Sequence, residues 1–410
     1  MKCRHCSSEL ELPLVDLGSA PPSNAYLTEA TLKAPEKWYP LRVLVCQECW
    51  LVQTEDFADA NELFDAEYAY FSAFSSSWLA HCERYAIDMV AALGLDADSH
   101  VVEVAANDGC LLQNFVARNI ACTGIEPTAS TAAAARARGI DVVEDFFGIR
   151  LARELCQQGR QADLITANNV LAHVPDINDF VAGFTLLLKP DGVATFEFPH
   201  LVNLVAKNQF DTIYHEHFSY LSFTAATTIL DATGLDVFDI QRLPTHGGSL
   251  RVFAQRRDTG RRPREATVNE MLRMEGDSGV TTAGYYAGFQ AKAEKVKDDL
   301  LSFLIAAKQR GELVVGYGAA AKGNTLLNFA GVRPDLLPFV ADRNPAKQGK
   351  FLPGCRIPVV AEDKLRLLRP DYVLILPWNL RDELASQLAY TGEWKAKLVT
   401  AIPAVAFGEA

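Results

Sequence analysis

The hydrophobic and polar positions of this chain change period along its length, and those changes divide it. Over residues 37–46, Leu41, Val43 and Val45 alternate with their neighbours, the period of a strand with one buried face. Over 71–92, Trp78, Tyr85 and Met89 recur on one face of a helix. From His100 onward, short apolar runs alternate with helical patterns. Strands are expected at 101–105, 121–125, 140–144, 163–167 and 193–198. Such alternation predicts a parallel sheet covered on both faces. A helix at 224–233, ended by Gly234, then leads to strands at 237–243 and 249–255, a closing hairpin. The polar stretch 256–265 reads as a linker, and a long helical pattern follows to Gln309. A second strand–helix series starts at 313–316 and continues at 337–341 and 372–376.

The expected fold class is α/β in three parts: a small module over 1–70, a cofactor-binding sheet over 71–265 and a second Rossmann-like domain over 266–410. A chain of 410 residues is too long for one ordinary core. The formal charge of −12, with no cluster of Lys and Arg, excludes a dominant nucleic-acid surface. No apolar run reaches the roughly 18 residues of a membrane span. The chain opens with Met1-Lys2-Cys3-Arg4-His5-Cys6 and shows no apolar signal segment, so a cytoplasmic protein is expected. We expect a monomer or weak homo-oligomer.

Four of the nine cysteines form two CxxC pairs, Cys3/Cys6 and Cys46/Cys49. That usage suits a metal site in a reducing compartment better than a disulfide framework. Two knuckles supply four soft ligands, the set tetrahedral zinc takes, and four protein ligands leave no open position. A structural zinc ion is expected, with a strand or loop inserted between the pairs.

The first strand of the central series runs into Glu103, Ala105, Asn107, Asp108 and Gly109, small and polar residues that open a helix. In nucleoside-binding α/β folds such a loop lets the backbone approach the ligand. Glu126 ends the next strand, where a carboxylate accepts from ribose hydroxyls, and Asp145-Phe146 follows the third, where an acid and an aromatic frame an adenine. Asn168 and Asn169 end the fourth. Four strand ends in register outline a cofactor pocket.

These residues, the two cysteine pairs, Tyr214-His215-Glu216-His217, the stretch His246-Gly247-Gly248-Ser249-Leu250-Arg251, and Gly316 to Asn324 together resemble the class I S-adenosylmethionine (SAM) methyltransferases. Within that class the chain is similar to the sugar C-methyltransferases that act on nucleoside-diphosphate (NDP) keto-deoxysugars, and the resemblance spans essentially the whole sequence. It implies an amino-terminal zinc module, a seven-stranded Rossmann-like SAM core and a carboxyl-terminal domain that binds the sugar nucleotide. It implies SAM as cofactor and an NDP-4-keto-deoxysugar, dTDP by preference, methylated at C-3, with C-5 as the alternative. A tyrosine from the region of Tyr68 and Tyr70 would close over sugar and cofactor.

The tetrad 214–217 follows the fifth strand, so it belongs at the carboxyl end of the sheet, where ligands of open α/β sheets bind. Methylation beside a ketone needs a base for the α-proton, and a histidine with ordinary pKa near 6.5 serves near neutral pH. If the tetrad is extended, Tyr214 and Glu216 share a face; if it turns helically, Tyr214 and His217 do. The resemblance assigns His217 as base, Glu216 as its orienting partner and Tyr214 to the sugar carbonyl, with His215 structural. His173, after the fourth strand, is a further candidate for the enolate or the base. In the second series Tyr317, Lys322 and Asn324 sit on a Gly-rich loop able to cradle a diphosphate, Asp342 ends the next strand beside the nucleoside, and Arg251 follows the hairpin turn within reach of a phosphate. Rival readings are an O- or N-methyltransferase, an NAD-dependent sugar-nucleotide oxidoreductase, and a zinc module without catalysis.

Overall fold

A computed structural model of the chain describes residues 1–57 and 75–409. Three strands come from the amino-terminal part: β1 (Leu12–Ala20), β2 (Tyr39–Val45) and β3 (Val52–Thr54). In β2, Leu41 and Val43 are buried while Pro40 and Arg42 are exposed, as the alternation predicts. At its inner end Leu44 and Val45 are both buried, because the strand there lies between two cores: Leu44 packs with the central sheet and Val45 with the carboxyl-terminal part. β1 was not foreseen. Pro13 and Gly18 mask it in the sequence, and the structure accommodates them beside irregularities in the β1–β2 register.

The central part holds β4 (His100–Val104), β5 (Ala121–Ile125), β6 (Asp141–Val143), β7 (Ala162–Asn168) and β8 (Leu188–Pro199). After these come β9 (Ser219–Tyr220), β10 (Leu235–Leu243) and β11 (Ser249–Arg256). The seven-stranded sheet has the order β10-β11-β8-β7-β4-β5-β6, and β11 runs antiparallel to both its neighbours. The chain leaves β4 toward β5 and β6, then returns to place β7 on the other side of β4. That reversal opens a crevice at the carboxyl ends of β4 and β7.

β9 belongs elsewhere. It pairs antiparallel with β3, giving a four-stranded sheet β1-β2-β3-β9 that the central part completes. The third sheet contains β12 (Val314–Tyr317), β13 (Val340–Ala341), β14 (Val359–Val360), β15 (Tyr372–Ile375), β16 (Lys397–Thr400) and β17 (Ala406–Glu409), in the order β14-β13-β12-β15-β16-β17. All its pairings are parallel except that of β17. The helix Phe289–Gln309 buries Phe289, Ala293, Val296, Leu300, Leu304 and Ala307, one stripe at helical spacing, against the first and third sheets. Fully burying an aliphatic side chain of this kind contributes about 1.5–3 kcal/mol.

The helix Ala266–Ser278 stands where the third part was expected to begin, yet Val268 and Met271 pack in the core of the central sheet. Its buried Glu275 accepts from the amides of Phe223 and Thr224, capping the helix Phe223–Ala232, and pairs with His200 at 2.6 Å. No described helix is long and apolar enough to cross a membrane.

Candidate active site

The two cysteine knuckles repeat one local geometry. The amide of Ser7 donates to the Cys3 carbonyl and that of Trp50 to the Cys46 carbonyl, and both Ser7 and Trp50 have positive φ. Each chain thus reverses tightly enough to aim its thiols at the other pair. All four Sγ atoms lie within 4.8 Å of one another, with Cys3–Cys49 and Cys6–Cys46 at 3.5 Å. Tetrahedral zinc with bonds of about 2.3 Å asks for sulfurs at about this spacing. The Gln53 amide donates to Cys3 Sγ at 3.3 Å, a hydrogen bond suited to a thiolate ligand. His5 is not part of the set; its ring bonds the Asn178 side chain.

At the exit of β4 the backbone alternates into the left-handed region at Ala105, Asn107 and Gly109. Gly109 is required by packing: a Cβ there would collide with Ile140 and sit 3.1 Å from that of Ala135. Glu126, at the end of β5, accepts from the amides of Asn107 and Thr128 at 2.9 and 3.0 Å, which fixes the loop against the second strand. Two buried polar atoms at these strand ends, Glu103 Oε2 and Asn168 Nδ2, have no hydrogen-bond partner among the described residues. Burial pushes the Glu103 carboxyl well above the usual range. Beyond β6, Phe146 is 46% exposed beside Asp145, which bonds Arg150. Unmatched polar atoms at the crevice and an uncovered aromatic at its rim fit an amino-acid nucleoside such as SAM.

Tyr214 to His217 form a tight turn: the His217 amide donates to the Tyr214 carbonyl at 2.9 Å. The two side chains therefore share a face, with ring centroids 3.9 Å apart. His217 Nδ1 lies 2.8 Å from the Thr212 carbonyl oxygen, which can only accept, so Nδ1 carries the proton and Nε2 the lone pair. His173, in the loop after β7, does the same toward the Glu216 carbonyl at 2.8 Å, and its ring stands edge-on to that of His217 at 4.6 Å. Burial holds both imidazoles below their ordinary range, His173 at about 4 and His217 well below 6.5, and His173 adds to the lowering of His217.

The Glu216 carboxylate, 1% exposed, accepts from Asn24 Nδ2 through both oxygens, at 2.7 and 2.9 Å. The partner that orients His217 is therefore the Thr212 carbonyl, in place of the expected Glu216. The turn points these two side chains apart and sends Glu216 to the amino-terminal module. His215 donates through Nε2 toward the Tyr39 and Pro40 carbonyls, tying the turn to β2. Immediately beyond, β9 pairs with β3, and Thr54 Oγ1 donates to the His217 carbonyl at 3.0 Å.

Lys322 approaches the same cluster from the third sheet. Its ammonium donates to Asn379 Oδ1 at 2.6 Å, stands 4.9 Å over the Trp378 ring, and lies close enough to His217 to disfavour a second positive charge there. Trp378 Nε1 donates to the buried Asp211 carboxylate at 2.7 Å, one residue before Thr212.

Other candidates sit elsewhere. Arg251 is 3% exposed and pairs with Glu197 at 2.8 Å, with its guanidinium over the Tyr85 ring, so it faces the core. The Asp342 carboxylate accepts from the amides of Ala319 and Asn344 at 2.7 Å each; it occupies the Gly-rich loop from within, where an anion was expected. Gly318 and Gly323 are needed because a Cβ would strike Pro377 and Leu376. Tyr317 bonds Glu362 within the third sheet's core, and Asn324, 1% exposed, bonds the side chain of Asn328 and braces the Ser23 carbonyl at 3.5 Å. Tyr68 and Tyr70 lie outside the described residues. Sequence reasoning missed Thr212 and Asn24: the first acts through its backbone, and the second sits in a stretch that reads only as a Pro-rich loop.

Three family models match: a zinc binding domain over residues 3–64, a methyltransferase domain over 78–240, and a C-methyltransferase C-terminal domain over 244–403. The C-methyltransferase NovU of Streptomyces niveus is 33% identical over 383 residues, covering 93% of this chain and 91% of NovU. Among solved structures, magnesium protoporphyrin IX methyltransferase of Synechocystis with bound SAH matches at a TM-score of 0.34 and 14% identity over 43% of this chain and 82% of its own. The PH0226 protein of Pyrococcus horikoshii matches at 0.38 and 12%, over 49% and 100%. The chain belongs to the C-methyltransferase family and is a SAM-dependent methyltransferase with an amino-terminal zinc-binding module.

Proposed function

We propose that the acceptor is an NDP-4-keto-deoxysugar, dTDP-linked by preference, and that the methyl goes to C-3, the carbon beside the ketone. The observation that supports this reading is the buried His217, with Nδ1 tied to the Thr212 carbonyl and Nε2 left as a neutral base, beside the ring of His173. An O- or N-methyltransferase deprotonates a group that is already acidic or nucleophilic. Removing a proton from carbon needs an unprotonated base held against the C–H bond, and the buried, neutral imidazole of His217 at the carboxyl end of the sheet supplies one.

His217 is the proposed base. Its Nε2 takes the α-proton, and the resulting imidazolium is stabilised by the Thr212 carbonyl and by the face of the Tyr214 ring. Tyr214 and Lys322 are the proposed donors to the ketone oxygen and the groups beside it. Glu216, held by Asn24, keeps the turn fixed, and His173 braces it from β7. The loop of Ala105, Asn107 and Gly109, with Glu103, Glu126, Asp145, Phe146 and Asn168, would hold SAM, which would supply the electrophilic methyl group when bound. Tyr68 and Tyr70 are retained as candidates that close over sugar and cofactor. Incubation with methyl-labelled SAM and a panel of keto-deoxysugar nucleotides, read by mass spectrometry, should show a carbon-bound label on one class of sugar. No label on any member of a broad panel contradicts the reading.

A further inference from the structure

The turn between β10 and β11 carries a histidine that none of the roles above uses. His246 adopts φ +53°, ψ +26°, in the left-handed region that few non-glycine residues occupy. Gly247 and Gly248 follow, both at positive φ. Neither can move aside: a Cβ on Gly247 would lie 2.6 Å from the Trp378 ring, and one on Gly248 would strike Asn203. The Gly247 and Gly248 carbonyls are held by Gln209 at 3.1 Å and by the His200 amide at 3.0 Å. Before the turn, Thr245 Oγ1 donates to Glu197 at 3.0 Å, and Glu197 is itself locked by His81 and Arg251 at 2.9 and 2.8 Å. A buried ion cluster with no other evident task thus anchors the residue next to His246.

The ring held in this way is half-buried and lies 5.7 Å from that of Trp78. Neither of its nitrogens has a hydrogen-bond partner among the described residues. It lies within electrostatic range of His217 and of Lys322. Burial and the Lys322 charge push it down to about 4, so it is a neutral donor at working pH. A fixed, neutral imidazole with unmet hydrogen bonds, next to the Gly247–Trp378 contact over which Lys322 stands and within electrostatic range of the base, is built to meet a polar group of the acceptor.

We propose that His246 is a catalytic residue of the methyl-transfer site, its ring N–H donating to the ketone oxygen of the acceptor as charge develops there. This rests on the keto-sugar reading above. The step is the same: the C–H electron pair moves into the C–C bond, the carbonyl pair moves onto oxygen, and the proton goes to His217 Nε2. His246 holds the oxygen, and its own proton stays on its ring.

The left-handed backbone supplies clean variants. Gly and Asn both tolerate φ +53°, so His246→Gly removes the ring without strain and His246→Asn restores a donor. We expect both to melt at the wild-type temperature and bind SAM with wild-type affinity. His246→Gly should lose about 10²-fold in kcat for methyl transfer and for solvent exchange of the α-proton, as when one oxyanion donor is removed, and His246→Asn should recover part of it. Rates within about threefold of wild type overturn the proposal, since a lost donor costs far more. A loss accompanied by a lowered melting temperature or weakened SAM binding overturns it equally, because the ring would then be a structural prop. If wild type itself neither exchanges nor methylates any keto-deoxysugar nucleotide, the keto-sugar reading fails and the proposal with it.

Discussion

His217 Nδ1 donates to the Thr212 carbonyl oxygen at 2.8 Å, and this one bond fixes the tautomer of the proposed base. It leaves Nε2 as the only basic nitrogen and points it away from the 3₁₀ turn Phe210–Thr212. Replacing His217 with Asn should therefore lower the methyl-transfer rate by about 10²–10⁴-fold, the usual worth of a positioned general base. SAM affinity by calorimetry should stay within the wild-type range. A variant that loses SAM binding as well contradicts the assignment.

Because burial keeps His173 at about 4 and His217 well below 6.5, both stay unprotonated at neutral pH. A histidine with a lowered pKa is lost as a base only when the pH falls through that lowered value. The acid limb of kcat/KM should accordingly lie below pH 6.5, with a flat profile from there to neutrality. A limb centred at the ordinary histidine value of about 6.5 contradicts the buried pair.

Zinc and the base are mechanically linked. The cysteine knuckles hold β2 and β3, β3 pairs with β9, and β9 follows His217 by one residue. Removing the metal with a strong chelator should accelerate amide hydrogen exchange at Ser219 and Tyr220 and abolish transfer, while the β4–β5 strands stay protected. Uniform exchange across all sheets, or unchanged exchange at β9, contradicts that linkage.

Asp211 is fully buried, and its carboxyl is pushed up to about 7 by that burial, despite the attraction of Lys322 and the Trp378 hydrogen bond. A carboxyl whose folded value is raised stabilises the fold below its unfolded value of 3.8 and loses that contribution as the pH rises through about 7. Asp211→Asn, which keeps an acceptor for Trp378, should thus gain in melting temperature relative to wild type as the pH rises from 4 to 8. A difference independent of pH contradicts the shifted group.

The Asn24–Glu216 contact ties the amino-terminal module to the proposed active site. Asn24→Ala removes the donor of two hydrogen bonds to a buried carboxylate and should destabilise the protein by about 1–3 kcal/mol, read by denaturant unfolding. Loss of activity should exceed what that destabilisation explains at the assay temperature.

Much of this architecture could be read from period and punctuation. The β4–β8 series, the β10–β11 hairpin and both cysteine knuckles rest on local patterns: apolar runs, Gly234, and paired CxxC. What escaped was non-local. β9 has two residues, too few to show a period, and exists because β3 offers an edge. The face shared by Tyr214 and His217 depended on a turn hydrogen bond that composition does not encode. Glycines at 318 and 323 look like a phosphate cradle in sequence, yet Pro377, Leu376 and Asp342 account for them by packing and capping. Arg251 reads as a phosphate ligand until its buried partner Glu197, 54 residues earlier, comes into view.

The central claim is that a buried histidine removes a proton from carbon beside a ketone. It is tested most directly by incubating the enzyme, with S-adenosylhomocysteine filling the cofactor site, and a dTDP-4-keto-deoxysugar in heavy water. Wild type should place one deuterium at C-3, seen by mass spectrometry and proton NMR, and His217→Asn should place none above background. No uptake with wild type, or equal uptake with both, would contradict the account.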